Sequence, residues 1–405
     1  GEGYYQFVWW DSEIYQMPFF LYTNPEAAKN TLIYRYRTLA KAKAIASEQG
    51  YIGARFAFCS SVTGEEKTWA GTVHPFMQDH IVADVIYATL QYFFATDDKE
   101  FMDKYGSELI CESIRYWLSR TTKTSRGYEL LKIAGTDEHH WNVNNDAYTN
   151  YLVKYDLNVV ADLLKKKVLS FEKFGFTKNE FANLQEQASN IFINELKGDL
   201  IPQFEGYFNL SPKMESNIGS GAGPQMRYKG SYMDSQIIKQ PDVLMLYSYV
   251  DVLNDHSNLK NNLKHYLKVC ECSSSLSYAP HAVCCAETNK MRDFQNYLNK
   301  TISIDLDNLH GGIDSGVHSG CEAGGYLSML FGLLGFRNKL GVLYLNPRRV
   351  SFIKKVVIPF TFKGSKFVAK LNKNNLVLEL LNGGELDLFI LDKQYHLSNK
   401  LAIKF

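Results

Sequence analysis

Two hydrophobic periods divide this chain. Between about residues 20 and 335, apolar side chains recur three and four positions apart, the period of helices with one buried face. The stretch PEAAKNTLIYRYRTLAKAKAIASEQG (25–50) opens on Pro25 behind Asn24 and stops at Gly50, residues suited to starting and ending a helix. HIVADVIYATLQYFFAT (80–96) and KEFMDKYGSELICESIRYWLSR (99–120) carry similar stripes, with Ile110, Ile114 and Trp117 on one face of the second. Further helical stretches are predicted near 145–169, 177–197, 240–253, 257–270, 277–298 and 323–335. Roughly ten or more helices with few strands between them predict a mainly α body over residues 1–340. Helix pairs alternating around an (α/α) ring suit that count, although other helical arrays share the same period. Past about residue 341 the pattern alternates. VVIPFTF (356–362), FVAKL (367–371), LVLELL (376–381) and LDLFIL (387–392), separated by Lys363-Gly364 and Asn382-Gly383-Gly384, predict a small C-terminal β domain over 341–405. Residues 205–235, rich in Gly, Ser and Pro, read as a long loop, either functional or a plain surface insertion.

Composition narrows the partners. The formal charge of +1 supplies no field to recruit nucleic acid or an anionic membrane. No apolar run is long enough to span a bilayer, and no signal peptide is visible. Aromatic content is 14%, with 26 Tyr and 25 Phe; this suits sugar-binding pockets and equally a large aromatic core. The seven cysteines are odd in number and form no paired C-x-x-C sets, so neither a disulfide framework nor a zinc site is expected. A reducing, cytoplasmic location follows from that usage.

The segment GTDEHHWNVNNDAYTN (135–150) concentrates candidate chemistry. Asp137, Glu138, His139, His140, Trp141 and Asn145 crowd a turn before a helix. Carboxylates and amides can hold sugar hydroxyls while an indole stacks on a ring face; capping of the following helix explains the same residues. The two histidines are adjacent, so their side chains diverge and one of them is ordinary loop chemistry.

At this point the sequence resembles glycoside hydrolase family 65, which contains maltose, trehalose, kojibiose and nigerose phosphorylases and related glucosidases. GTDEHH matches the family's acid-bearing segment, which implies that Glu138 is the general acid. VWWDSEIYQMP (8–18) stands for the F-W-D-T-E segment and KQPDVLML (239–246) for K-Q-[AP]-D, implying that Trp10, Asp11, Lys239 and Gln240 hold the glucosyl unit. The resemblance implies an (α/α)6 barrel followed by the small β domain; the N-terminal β-sandwich that family members carry before the F-W-D segment is not in this chain. Phe58 and Cys59 in FAFCSSVTGEE (56–66) replace a Trp and a polar residue, Thr136 replaces Pro, and Cys272 stands where a His often precedes the serines.

The same resemblance implies an inverting mechanism at an α-glucosidic bond. A phosphorylase uses phosphate as nucleophile, whereas a hydrolase needs a carboxylate base to activate water. SSLS (274–277) and GVHSGCEAGG (316–325) match the family's phosphate-binding segments, which points to Ser274, Ser275, His318 and the Gly324-Gly325 backbone, close to a helix start. A Gly-rich turn for close helix packing explains the second segment equally well. Glu322, Asp307 and Asp314 are candidate bases if the enzyme is a hydrolase, and a non-catalytic sugar-binding relative is the third reading. The expected partners are a disaccharide and phosphate, with no metal or organic cofactor and with homodimerisation common in the family. Burial and neighbouring acids are expected to raise the Glu138 pKa.

Overall fold

The computed structural model describes residues 4, 6–69, 71–212, 232–253, 255–350 and 352–405. Most of the predicted 205–235 loop lies outside them; its described beginning holds one short 3-10 turn, Tyr207–Asn209. Helices dominate as far as residue 333. In chain order they are α1 (Met17–Thr23), α2 (Pro25–Arg37), α3 (Leu39–Glu48), α4 (His80–Thr96), α5 (Lys99–Phe101), α6 (Ser107–Arg120) and α7 (Ala147–Lys165). Then follow α8 (Lys178–Asn190), α9 (Asp242–Ser248), α10 (Leu259–Val269), α11 (Tyr278–Glu287), α12 (Met291–Ile302) and α13 (Ser319–Leu327). Each helical period read from the sequence is met by helix.

The differences are local. The 25–50 stretch divides at Thr38, whose hydroxyl bonds back to the carbonyls of Tyr34 and Arg35 and competes with the next helical turn. The 277–298 stretch divides into α11 and α12 where Asn289 takes φ 60°, a left-handed value that ends a helix. Wider π turns at Ser12–Gln16, Met102–Gly106 and Ser328–Leu333 join α1, α6 and α13 to their neighbouring segments without breaking them.

Strands appear in quantity only near the C terminus. A small hairpin, β1 (Thr122–Thr124) with β2 (Gly127–Glu129), precedes them. β3 (Arg337–Lys339), β4 (Val342–Leu345), β8 (Leu386–Ile390) and β9 (Lys393–Leu397) form one sheet in the order β3-β4-β8-β9, with β4 and β8 parallel. β5 (Val356–Phe362), β6 (Ser365–Asn372), β7 (Asn375–Asn382) and β10 (Lys400–Lys404) form an antiparallel second, ordered β10-β7-β6-β5. The β5–β6 turn is Lys363-Gly364, with φ of 47° and 73°, the positive pair that a two-residue hairpin requires.

Alternation in β5 buries Val356, Ile358, Phe360 and Phe362. Phe360 meets Phe336 at 5.4 Å, and Phe336 meets Tyr22 of α1 at 4.5 Å, so one apolar core runs from the helices into the sheets. Tyr326 of α13 donates to the Pro359 carbonyl at 2.7 Å across the same junction. The sheets thereby brace α1 and α13, two helices that approach the site described below.

A buried ion pair fixes the segment before α1. Arg35 of α2 donates to both carboxylate oxygens of Glu13, at 2.7 and 2.8 Å, and neither side chain reaches solvent. Burying two charges is costly unless they are paired in this bidentate way. Replacing Glu13 with Ala leaves the guanidinium buried without its partner. The expected loss is about 3–5 kcal/mol in urea unfolding, with the Glu13→Met/Arg35→Met double variant losing less than the single one.

Candidate active site

Chain segments far apart in sequence converge on Glu138. The turn that carries it is held from beneath by Asp137, which is fully buried. Asp137 Oδ1 accepts the backbone N–H of Lys239 at 2.8 Å and of His139 at 3.2 Å. Its Oδ2 accepts Gln203 Nε2 at 2.8 Å and pairs with His140 Nδ1 at 2.6 Å. Burial alone would raise this carboxyl, but the bond and charge of His140 and the other donors hold it down to about 2.

Behind the turn, Gly135 leaves no room for a side chain. A Cβ there would lie 2.2 Å from Asp242 Oδ2 and 2.5 Å from Asp146 Oδ2. Asp242 is pushed well above the usual carboxylate range by burial and by the neighbouring Asp146 and Asp137, and it accepts the Thr136 hydroxyl. Thr136, noted in the sequence as a departure, therefore has a structural partner.

The two histidines diverge as their adjacency predicts. His140 bonds Asp137 and, through Nε2, the Ser235 carbonyl at 2.8 Å. His139 pairs with Glu271 at 2.5 Å and stacks on Tyr232 at 3.8 Å.

Glu138 itself is gripped by Lys239 and Gln240, the two residues that the resemblance assigned to the glucosyl unit. Lys239 Nζ donates to Oε2 at 2.7 Å and Gln240 Nε2 to Oε1 at 2.8 Å. His74, which the sequence reading missed, places Nε2 3.7 Å from Oε2. The expectation of a raised pKa is corrected here. Burial does push it upward, but the Lys239 ammonium, His74 and the Gln240 bond outweigh that and hold the carboxyl down to about 2. Its neighbours are cations and donors where the sequence reading assumed acids.

Asp11, whose charge acts on Tyr4 together with that of Glu138, is pushed up to about 6 by burial, against the opposing hydrogen bond from Gln16 at 3.2 Å. Trp10 is buried edge-on against Tyr15 and His80. Its neighbour Trp9 joins an aromatic wall instead, meeting Phe58 at 5.2 Å and Trp69 at 5.6 Å. Phe58 and Cys59 are both buried; their backbone N–H groups are held by the Glu66 carboxylate at 2.8 and 3.0 Å. Burial raises the Tyr4 phenol first, and Asp11, Glu138 and Asp305 raise it further, so these three carboxylates act on one spot. Tyr4 also meets the His318 ring edge-on at 5.7 Å.

His318 caps α13. Its Nδ1 pairs with Asp305 at 2.5 Å, and its backbone N–H bonds the same carboxylate at 2.8 Å. Ser274 caps the 3-10 turn Ser275–Ser277, and Ser277 Oγ donates to the Lys239 carbonyl at 2.7 Å, joining this turn to the acid's partner. The turn and the start of α13 touch at Gly320, where a Cβ would lie 2.4 Å from Asp11 Oδ2 and 2.9 Å from Leu276 Cδ2. Ser319 and Gly320, the first two residues of α13, have no intrahelical acceptor for their N–H groups.

Three expectations change. Gly324 and Gly325 lie inside α13, where their N–H groups belong to the helix ladder. They permit close packing instead: a Cβ on Gly324 would meet Ala279 at 2.7 Å, and one on Gly325 would meet Ile302 at 3.0 Å. Asn145 is fully buried and spends its amide on Glu129 at 2.8 Å, Glu205 at 3.1 Å and the Leu130 N–H at 3.1 Å, away from Glu138. Glu322, Asp307 and Asp314 are all exposed, so none has the burial and aim of a base for water. Glu322 is a first-turn acid facing solvent from a helix start, where the dipole favours it. Trp141 stands half-buried on the same loop as Glu138.

Comparison with known proteins identifies the family. Residues 1–327 match the model of the glycosyl hydrolase family 65 central catalytic domain. The chain is 41% identical over its whole length to a 3-O-alpha-D-glucosyl-L-rhamnose phosphorylase of Lachnoclostridium phytofermentans, covering 54% of that protein. It is 33% identical over 86% of its length to a kojibiose phosphorylase of Halothermothrix orenii, covering 48% of it. The chain thus spans about half the length of these curated relatives. A solved structure described as "Putative kojibiose phosphorylase from human microbiome" superposes with a TM-score of 0.91 at 28% identity, over all of this chain and 61% of that one. By its motifs, its fold and these matches, the chain belongs to glycosyl hydrolase family 65.

Proposed function

We propose that this protein is an inverting phosphorylase that splits an α-glucosyl disaccharide into β-glucose 1-phosphate and a free sugar, and that its helices form the (α/α)6 barrel of the family. The observation that carries the reading is the Glu138 carboxyl held between Lys239 and Gln240, with Asp11 and the start of α13 facing it. Phosphate sits at Ser274, Ser275, His318 and the free N–H groups of Ser319 and Gly320, where a helix start favours an anion. One phosphate oxygen attacks the anomeric carbon from the face opposite the glycosidic oxygen. The C–O bond breaks, and the departing oxygen takes the Glu138 proton. Trp9 and Trp69, backed by the buried Phe58, supply flat apolar contact for the sugar rings. A family relative that acts on glucosyl-rhamnose makes a glucoside of a deoxysugar one member of the substrate panel, beside kojibiose and trehalose. The exposure of Glu322, Asp307 and Asp314 favours phosphate over water as the nucleophile.

A general acid needs its proton, yet Lys239 keeps the resting carboxyl ionised. In this reading the glucosyl hydroxyls draw Lys239 and Gln240 away, and burial, the largest influence on Glu138, then raises its pKa into a working range. Substrate binding and protonation of the acid are therefore one event.

Three outcomes are expected. Glu138→Gln should lower phosphate-dependent release of glucose 1-phosphate by about 10²–10⁴-fold, and the wild-type enzyme should consume no disaccharide without phosphate. Lys239→Met removes the foremost group lowering the acid, so its carboxyl midpoint should climb from about 2, read by infrared difference against Glu138→Gln; a midpoint left in place contradicts the coupling. Gly320→Ala should raise the KM for both phosphate and disaccharide, because the new methyl would lie 2.4 Å from Asp11 Oδ2 as well as 2.9 Å from Leu276 Cδ2.

A further inference from the structure

Beside Lys239, on the side away from Glu138, three soft ligands converge that the phosphorolysis reading does not use. Cys270, Cys272 and His281 bring two Sγ atoms and one ring nitrogen within 4.8 Å of one another. Their spacing, C-x-C followed nine residues later by His, matches none of the paired patterns by which zinc sites are read from sequence. The fold makes the site: α10 ends at Val269, Cys270 is extended and Cys272 turns with a left-handed φ of 53° on the segment after it, and His281 projects from the first turn of α11.

The histidine is already set up as a ligand. It is fully buried, and its Nδ1 lies 2.6 Å from the Ser277 carbonyl, which can only accept, so Nδ1 carries the hydrogen. Nε2 is therefore the lone-pair nitrogen, and it faces the Cys272 thiol without a well-formed hydrogen bond of its own. Buried polar atoms are almost always satisfied, so an imidazole nitrogen left open toward two thiols calls for a ligand. Donation from the other ring nitrogen to a backbone carbonyl is the usual outer support of a metal-bound histidine. Stacking on Tyr297 at 5.1 Å and 20° fixes the ring plane.

The sulfur spacing fits as well. The Sγ atoms stand 3.6 Å apart. Two thiolates at about 2.3 Å from a tetrahedral zinc ion are separated by roughly 3.8 Å. Two thiolates and a neutral imidazole around a divalent ion give no net charge, so burial of the assembly carries little electrostatic cost. Cys270 now donates weakly to the Lys239 carbonyl at 3.5 Å. As a thiolate it would give that bond up, and the carbonyl would keep the Ser277 hydroxyl at 2.7 Å. Both cysteines are half-buried, which leaves a route for the ion.

We propose that Cys270, Cys272 and His281 bind one soft divalent ion of the zinc class, with a fourth position open to water. The bound ion clips the segment after α10 to α11 and so steadies the Lys239 backbone. This inference is independent of the phosphorolysis reading, because it concerns binding and not turnover.

The test uses protein reduced and stripped with chelator, then equilibrated with Zn2+ or Co2+ alone. One zinc per chain by elemental analysis is expected, together with thiolate-to-cobalt charge transfer and the d–d bands of a four-coordinate Co2+ ion. Zn2+ should also raise the thermal unfolding midpoint. Cys272→Ser and His281→Gln should each weaken Zn2+ by more than about 100-fold and remove the thermal gain, since losing a ligand costs more than losing a group behind one. The control Cys285→Ser should bind as wild type does. The wild-type measurements stand even if a ligand variant fails to fold. No stoichiometric uptake, uptake without the thiolate band, or uptake unchanged in a folded Cys272→Ser protein would each overturn the site.

Discussion

The carboxylate of Asp137 is the point from which the rest of this site is built. An ionised group with no exposure is tolerated only if its lone pairs are filled, and here two backbone N–H groups, Gln203 and His140 fill them. The bond to the Lys239 N–H joins positions 102 residues apart in the chain. Because Glu138 follows Asp137 directly, whatever fixes the first carboxylate also fixes where the second can point. Gly135 adds a steric limit from behind, leaving the turn no space to retreat from the buried Asp146 and Asp242 pair.

Two carboxyl groups of the cleft show how environment divides labour among identical chemistry. Glu138 is half-buried yet held low because an ammonium and an amide face it, whereas Asp11 is half-buried beside a glutamine and is pushed up to about 6. Their difference is set by which side chain stands opposite each. A substrate that recruits Lys239 changes one of these environments and leaves the other alone. For the proposed phosphorolysis, that would be a physical route from sugar binding to acid strength without any large movement of the fold.

The outer layers have a comparable logic. Glu13 and Arg35 anchor the segment after Trp10 and Asp11 to α2, and the C-terminal sheets brace α1 and α13 through aromatic contacts and the Tyr326 bond. The Gly324-Gly325 pair lets α13 lie close to α11 and α12, which carries the start of α13 to Asp11. The cysteines and His281 sit where the turn before α11 meets the Lys239 backbone, so any ligand there bears on the same framework.

Helical period and alternation were legible in the residues alone, because burial on one face imposes spacing of 3.6 or 2 whatever the tertiary arrangement. The motif order likewise marked Glu138, Lys239 and Gln240, and the structure brings these three together. Short strands such as β3 and β9 escaped notice because runs this brief carry too little alternation to stand out. His74 and Tyr4 escaped because nothing in their local sequence distinguishes them, and Gly320 escaped, although it lies inside the 316–325 segment, because only packing shows that it is the glycine beside Asp11. Asn145 and the Gly324-Gly325 pair looked like ligand contacts by their company in sequence, and packing gave them other work. The sequence by itself determined which segments would be helix or strand and which residue types could do acid chemistry on a sugar, since these depend on neighbours along the chain. The direction of the Glu138 pKa shift, the solvent-facing aim of Glu322 and the meeting of Cys270, Cys272 and His281 were decided by tertiary structure alone, because charge, burial and ligation depend on distances that the order of residues does not contain.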